Sequence, residues 1–590
     1  MKFHDPHSFA DPAQGKITHI DFDIDVDFSQ RVLAVEAIYH LDHPVNGSLF
    51  LDTRDLTIER IHTDGQDLVW EIDAHDPISG DRLHLKDVKS LSQFTIRLLT
   101  SPAASALQWL TPAQTAGKKH PFLYSQCQSI HARSIFPCQD SPSLRFTFQA
   151  RLQVPSPLVA VMGAATTGTQ RKGKHNAYTF RMDQPIPAYL FALAAGDIAF
   201  REIGPRTGIY AEPEVVQSAA WEFAENERKL SEGEKLFGPY LWDRYDVIIM
   251  PPSFPYGGME NPRLTFLSPL YILGDRTWTN VISHELAHAW TGNLVTNASW
   301  EHFWLNEGCT TYAEMRISEA LDGFEAMQLD AAIYAQLLLE DMQLFGMDSN
   351  LTCLKTSLAG IDPDDVFSRI PYYKGYFFMR RLEEAVGRQR FDKFIRKYIE
   401  AYKFQTIATD EFIAFLRQEL PEAFERVDVQ SWVFEPGILD GALDVESRLY
   451  DLAISVSHAY KQGKLPQKDE IEGWISGQVY AFLLDLPESI PTEDCAYLDE
   501  LFEFKSRWNS ALQAVFLALS IRSGYREILA RVERFVETIG RGIYLSRIFR
   551  AMIAEEWTRP LARPLFMRVR ERHHPVTVAK IDGILRKAGL

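Results

Sequence analysis

The stretch Ser283-His284-Glu285-Leu286-Ala287-His288-Ala289-Trp290 decides how this chain is read. Two histidines four residues apart stand one turn apart on a single face of a helix. Ile282, Leu286, Ala289 and Trp290 fall on the opposite face, where they can anchor the helix in a core. Two imidazoles so placed can aim ring nitrogens at one cation. Zinc suits them, being tetrahedral, receptive to nitrogen and oxygen, and able to keep an open position in catalytic sites. A catalytic zinc needs a third protein ligand. Glu307 stands nineteen residues beyond His288, at the start of a second helical run through Tyr312, Ala313 and Arg316. A short loop between antiparallel helices would set Glu307 beside His284 and His288 and leave the fourth position for water. Glu285, on an adjacent face, is placed to take a proton from that water and pass it to a leaving amine. The bland alternative is an exposed helix face carrying two histidines; the downstream glutamate favours the metal.

Outward from this segment the pattern changes character. Ile20, Phe22, Ile24, Val26 and Phe28 alternate with Asp21, Asp23, Asp25 and Asp27, the period of a strand with one buried face. The aspartates lack the Gly and Glu of an EF-hand loop, so they read as a solvated face rather than a calcium site. Strand-like runs follow at Leu144–Val154 and Tyr178–Met182, up to the turn-rich Ile203-Gly204-Pro205-Arg206-Thr207-Gly208. Beyond it come a strand at Tyr245–Met250, a mainly helical stretch over 281–420 and a break at Glu435-Pro436-Gly437. Amphipathic helical segments occupy 446–590. The order predicts a multidomain α+β protein: an N-terminal β-sheet domain of saddle or sandwich type over 1–202, a mainly α catalytic domain over 203–436, and a C-terminal α-helical domain over 437–590. The last could stack helix pairs in a solenoid-like way, although no fixed-period repeat is visible.

The chain has 590 residues, 46% hydrophobic and 24% charged, the balance of an ordinary globular protein. A net charge of -18 excludes a general nucleic-acid binder, which needs a basic surface, and disfavours an anionic membrane as partner. Cys127, Cys138, Cys309, Cys353 and Cys495 are few, odd in number and widely spaced, which points to free thiols in a reducing compartment. The opening Met1-Lys2-Phe3-His4-Asp5-Pro6-His7 shows no charged region followed by an apolar one, so a cytoplasmic location is expected; a monomer is the separate expectation for the assembly.

Upstream of the histidines lies Phe254-Pro255-Tyr256-Gly257-Gly258-Met259-Glu260-Asn261-Pro262. A Gly-Gly-Met-Glu-Asn segment followed by HExxH, eighteen residues and Glu resembles the gluzincin zinc aminopeptidase family. Ser125-Gln126-Cys127-Gln128, Trp290-Thr291-Gly292-Asn293-Leu294-Val295-Thr296-Asn297 and Phe303-Trp304-Leu305-Asn306-Glu307-Gly308 resemble the subgroup of leukotriene A(4) hydrolase and bacterial aminopeptidases. The resemblance covers nearly the whole chain and implies a thermolysin-like catalytic domain, one zinc per chain and peptide substrates with a free N-terminus.

The resemblance also implies roles. Glu260 would hold the substrate's α-ammonium, helped by Gln128 and Gln126, because a carboxylate pairs with an ammonium and not with an internal amide. Tyr256, Gly257, Gly258 and Met259 would line the substrate, the glycines letting backbone lie close to it. Tyr372, in Pro371-Tyr372-Tyr373-Lys374-Gly375, matches the family's catalytic tyrosine and would donate to the developing oxyanion. Arg541 matches an arginine that anchors the substrate's carboxylate end, but the lysine commonly found two positions on is here Ile543. Asp364 matches an aspartate that directs water in fatty-acid epoxide opening, or could bind a basic first side chain; Phe367 stands where the vertebrate enzyme has tyrosine. Leukotriene A(4) hydrolase-like epoxide hydrolysis is thus the alternative to peptide hydrolysis.

Overall fold

The computed structural model describes residues 5–506 and 509–590; Met1–His4, read above for a leader, lie outside that range. In the N-terminal sheet, Ile17–Asp27 runs antiparallel to Val32–Thr53 on one side and parallel to Arg145–Pro155 on the other. Its alternation sorts the faces: Ile20, Phe22 and Ile24 are buried. On the wet face Asp23 pairs with Arg151 at 2.6 Å and Asp21 accepts from His40 at 2.8 Å. A second, smaller sheet includes Phe122–Ser125, and that strand leads directly into Gln126 and Gln128.

The turn-rich stretch after 202 is a hairpin loop, since Ala199–Glu202 pairs with Thr207–Ala211. These strands join Tyr245–Ile249, Leu264–Leu267 and Gly258–Met259 in a five-stranded sheet, with Gly258–Met259 at one edge. An edge strand presents unpaired backbone groups to whatever lies beside it.

The helix Asn280–Ala287 ends sooner than the sequence pattern suggests, with His288 as its cap. Gly292, at φ 109°, reverses the chain in a conformation that L side chains rarely adopt. Trp290 therefore sits in a turn but is still buried. The expected short loop to Glu307 is longer: it contains Val295–Asn297, paired with Gln405–Ile407, and the 3-10 turn Trp300–His302. That pairing fixes the connection, so the Glu307 helix, Trp304–Asp322, still packs on the histidine helix. It also crosses Ile370–Val386 with backbones in contact: a Cβ on Gly308 would lie 2.6 Å from the Gly375 Cα. This contact brings the start of the second helix, with Tyr372, up to Glu307.

The helix Phe324–Phe345 serves two cores. Leu329, Ile333 and Leu337, at intervals of four, enter the C-terminal core, whereas Met327, Ala331, Leu338 and Met342 enter the larger one. In the C-terminal domain Arg448–Lys461 packs on Ser476–Asp485, which packs on Ser510–Arg522, then Gly542–Ala554, then Pro575–Lys587. The domain meets the loop 250–257, between strands Tyr245–Ile249 and Gly258–Met259, through Gly540 N–H to Pro252 O (2.8 Å) and Gly542 N–H to Pro255 O (3.0 Å). Arg541 is thereby presented to the site. Among the described residues no helix is long and apolar enough to cross a membrane, and all five cysteines are free and buried.

Candidate active site

Three donor atoms converge where the histidine helix faces the Glu307 helix. His284 Nε2 and His288 Nε2 are 3.2 Å apart. Glu307 Oε2 lies 3.3 Å from the first and 3.5 Å from the second. Donors held at about 2.0–2.1 Å by a tetrahedral ion stand about 3.3 Å apart, so the triangle fits zinc. The remote ring nitrogens are fixed as well. His284 Nδ1 meets Glu314 Oε2 at 2.9 Å, and Tyr334 donates to the other Glu314 oxygen at 2.9 Å. His288 Nδ1 lies 3.2 Å from Thr310 Oγ1 and 3.3 Å from Thr291 O. Such outer partners set which nitrogen faces the ion.

Glu260 and Glu285 complete a ring of buried carboxylates; oxygens of both lie within 4.8 Å of each other and of a His288 ring nitrogen. Gly258 makes room for Glu285, since a Cβ there would fall inside its carboxylate. Asn293 Nδ2 donates to the Glu260 carbonyl at 2.6 Å. Burial, with Glu307 and Glu285 adding, pushes the Glu260 carboxyl well up. Burial, opposed by His284 and reinforced by Glu307, pushes Glu285 to about 8. Burial lowers His284, but hydrogen bonds to Glu307 and Glu314 outweigh it and raise the imidazole; burial and then His284 depress His288. Buried like charges so close call for cations among them.

The remaining polar groups point the same way. Glu260 Oε1, Gln126 Oε1 and Gln128 Nε2 are buried without a hydrogen-bond partner. Gln126 Nε2 donates to Met259 Sδ at 3.2 Å, which turns its oxygen away. Tyr372 stacks on His284, with ring centroids 5.8 Å apart, and burial followed by Glu307 and Glu260 raises its phenol. Tyr256 lines the same region, its ring 5.6 Å from Phe367. Arg541 Nη1 donates to Tyr271 (2.9 Å) and Tyr544 (2.6 Å), and a Cβ on Gly257 would lie 3.1 Å from its Nη2. Asp364 stands apart from the carboxylate ring: it accepts from Ser129 Oγ (2.7 Å) and meets His131 Nε2 (2.6 Å). Sequence reading missed Glu314, Thr310, His131 and the Gly308–Gly375 contact. Glu314 was within reach, since it lies seven residues past Glu307 and so on the same helix face; His131 carries no local signal.

Fold and site together define a zinc metallopeptidase. Residues 18–190 match the peptidase M1 N-terminal domain, 221–432 the peptidase family M1 domain, and 474–585 the C-terminal domain of leukotriene A4 hydrolase. The chain is 36% identical to leukotriene A-4 hydrolase of Xenopus laevis, over 97% of this chain and 98% of that one. It is 36% identical to leucine aminopeptidase 2 of Aspergillus niger, over 98% and 97%. Yeast LTA4 hydrolase, solved in complex with bestatin, superposes with a TM-score of 0.89 at 28% identity, over 99% and 98% of the two chains. The chain belongs to peptidase family M1, in the branch that carries the leukotriene A4 hydrolase C-terminal domain.

Proposed function

We propose that this protein is an aminopeptidase removing the N-terminal residue from peptides. Zinc, when bound by His284, His288 and Glu307, supplies a Lewis acid that polarises the scissile carbonyl and acidifies a water. Glu285, whose carboxylate oxygen lies within 4.8 Å of Glu260 and of a His288 ring nitrogen, takes the proton from the attacking water and delivers it to the departing amine. Tyr372 keeps its phenol proton, because burial and the nearby carboxylates raise it, and so stays a donor to the oxyanion. Glu260 holds the substrate ammonium together with Gln126 and Gln128. Gly257, Gly258 and Met259 offer an edge to which the extended peptide adds as a strand, and Tyr256 lines the first-residue pocket. Arg541 takes the distal carboxylate. Catalytic groups come from 203–436, amide help from 1–202 and the anchor from 437–590, so one chain completes the site and a monomer suffices.

The observation that carries this reading is the buried, unpartnered Glu260 Oε1 beside Glu285 and His288. The epoxide alternative would ask Asp364 to deliver water, and that carboxylate is held by Ser129 and His131. The test is a panel of unblocked and N-acetylated amino-acid anilides, with and without chelator, beside Glu260→Gln. Cleavage of the unblocked forms, lost on chelation and in the variant, is expected; equal cleavage of acetylated forms would remove Glu260 from this role.

A further inference from the structure

The last stretch of the chain, 559–590, carries eight lysines and arginines against only Glu571 and Asp582, in a chain of net charge -18. It folds into the helix Arg559–Val569, the 3-10 turn Arg570–Arg572 and the helix Pro575–Lys587. Ala562, Leu565, Phe566 and Val569 recur at i, i+3, i+4 and i+7 and are buried, so the first helix turns its other face outward. Pro560, Pro564 and Met567 form the outermost stripe of that face, and all three are exposed. Arg559, Arg563 and Arg570 run along one flank of the stripe and Arg568 stands on the other, beside Leu561. Met567 is 55% exposed and Leu561 42%.

Few of these cations are spent inside the molecule. Arg568 pairs with Glu533 at 3.1 Å and Arg570 with Asp582 at 2.6 Å. Arg559 donates only to carbonyls, those of Ile553 (3.0 Å) and Ala588 (2.5 Å). The bond to Ala588 sets Arg586 and Lys587 beside the start of the arginine helix. Arg563, Arg572, Arg586 and Lys587 are exposed and have neither a side-chain hydrogen bond nor an ion pair among the described residues. Unpaired surface cations alone make a solvated face. Three features set this one apart: its sign opposes that of the chain, apolar side chains crest it, and every cation of 559–572 is arginine. Arginine and methionine are enriched where proteins meet, whereas lysine is depleted. The guanidinium fork also matches a carboxylate with two parallel hydrogen bonds. A lipid surface would be served equally by lysine, and an anionic plane would be repelled by the rest of the molecule. An acidic polypeptide segment needs to touch only the patch.

We infer that the outer face of the helix Arg559–Val569, with Arg572, Arg586 and Lys587 beside it, is a docking surface for an acidic segment of another protein. Carboxylates of the segment pair with Arg563 and its unpaired neighbours, and an apolar side chain between them covers Met567 and Leu561. The surface is independent of the zinc site, since none of its residues belongs to that site.

The test is fluorescence anisotropy of a labelled peptide repeating Glu-Glu-Leu, beside its Gln-Gln-Leu counterpart, titrated with the full chain at low and high salt. The acidic peptide should bind and the neutral one should not, with affinity falling as salt rises. Arg563→Glu and Arg586→Glu break no bond within the molecule, so the thermal midpoint should hold while each weakens binding about tenfold, the scale of one charge-assisted contact. Met567→Gln should also weaken it about tenfold, through the lost apolar cover. No binding of the acidic peptide, or unchanged affinity in any of the three folded variants, would overturn the docking surface. Binding to vesicles of phosphatidylserine and phosphatidylcholine without binding to the peptide would overturn it in favour of a lipid surface. Self-association in sedimentation that Arg563→Glu abolishes, with the peptide left unbound, would overturn it in favour of a second copy of the chain.

Discussion

Replacing Gly258 by alanine should disable the general base without touching a zinc donor. No left-handed backbone is needed at this position, so the effect is steric. The new methyl would lie 2.6 Å from Glu285 Cγ and deeper still into the carboxylate. Carbon atoms pack at about 3.5–4.0 Å, so the side chain must retreat by about 1 Å. A displacement of about 1 Å in a catalytic constellation lowers the rate about 100-fold, equivalent to about 2.7 kcal/mol of barrier. The assay is steady-state hydrolysis of an unblocked anilide, with zinc content and thermal midpoint measured on the same preparation. The expected result is a kcat about 100-fold down with one zinc retained. Glu285→Gln, which removes the base outright, should fall further, by up to about 10⁴-fold. Activity of Gly258→Ala within about threefold of wild type would refute the confinement of Glu285 against this strand. Loss of zinc in step with activity would refute it too, by showing that the displacement reached the donors.

Two further expectations follow from the packing around the site. Glu314→Gln leaves the three donors in place but weakens the hold on His284 Nδ1, so zinc affinity should fall about 10–100-fold in a competitive chelator titration. Burial depresses His302 and His573 to about 4 and His574 to about 3, so the folded state carries fewer protons than the unfolded chain below the ordinary value of 6.5. Stability is therefore full above about pH 6.5 and is lost as the pH falls, by about 2 kcal/mol for each histidine at about pH 5. Denaturant titrations at about pH 7.5 and 5 measure this; His574→Asn, which can keep the cap on the Val576 N–H, should remove one such share.

The amino-acid sequence by itself determined the chemistry and the order of the domains. The i, i+4 histidines, the glutamate nineteen residues on and the period-two aspartate strand are local patterns, and a helix or strand displays them wherever it is packed. Even the helix that stops at Ala287 keeps the histidine spacing, because the His288 N–H still bonds to the His284 carbonyl at 3.3 Å. What only tertiary structure decided is which side chains are left with something to bind. Asp364 reads from sequence as a free carboxylate, yet Ser129 and His131, more than 230 residues away, occupy it. Arg563 and Arg568 read alike, as cations on one amphipathic helix, yet Glu533 and Glu537 from another helix occupy the second and leave the first without an anion. Whether a polar group is spent or available depends on the sum of its neighbours in space. That sum is set by long-range contacts such as Gly308 on Gly375 and Gly542 on Pro255, which no local periodicity encodes.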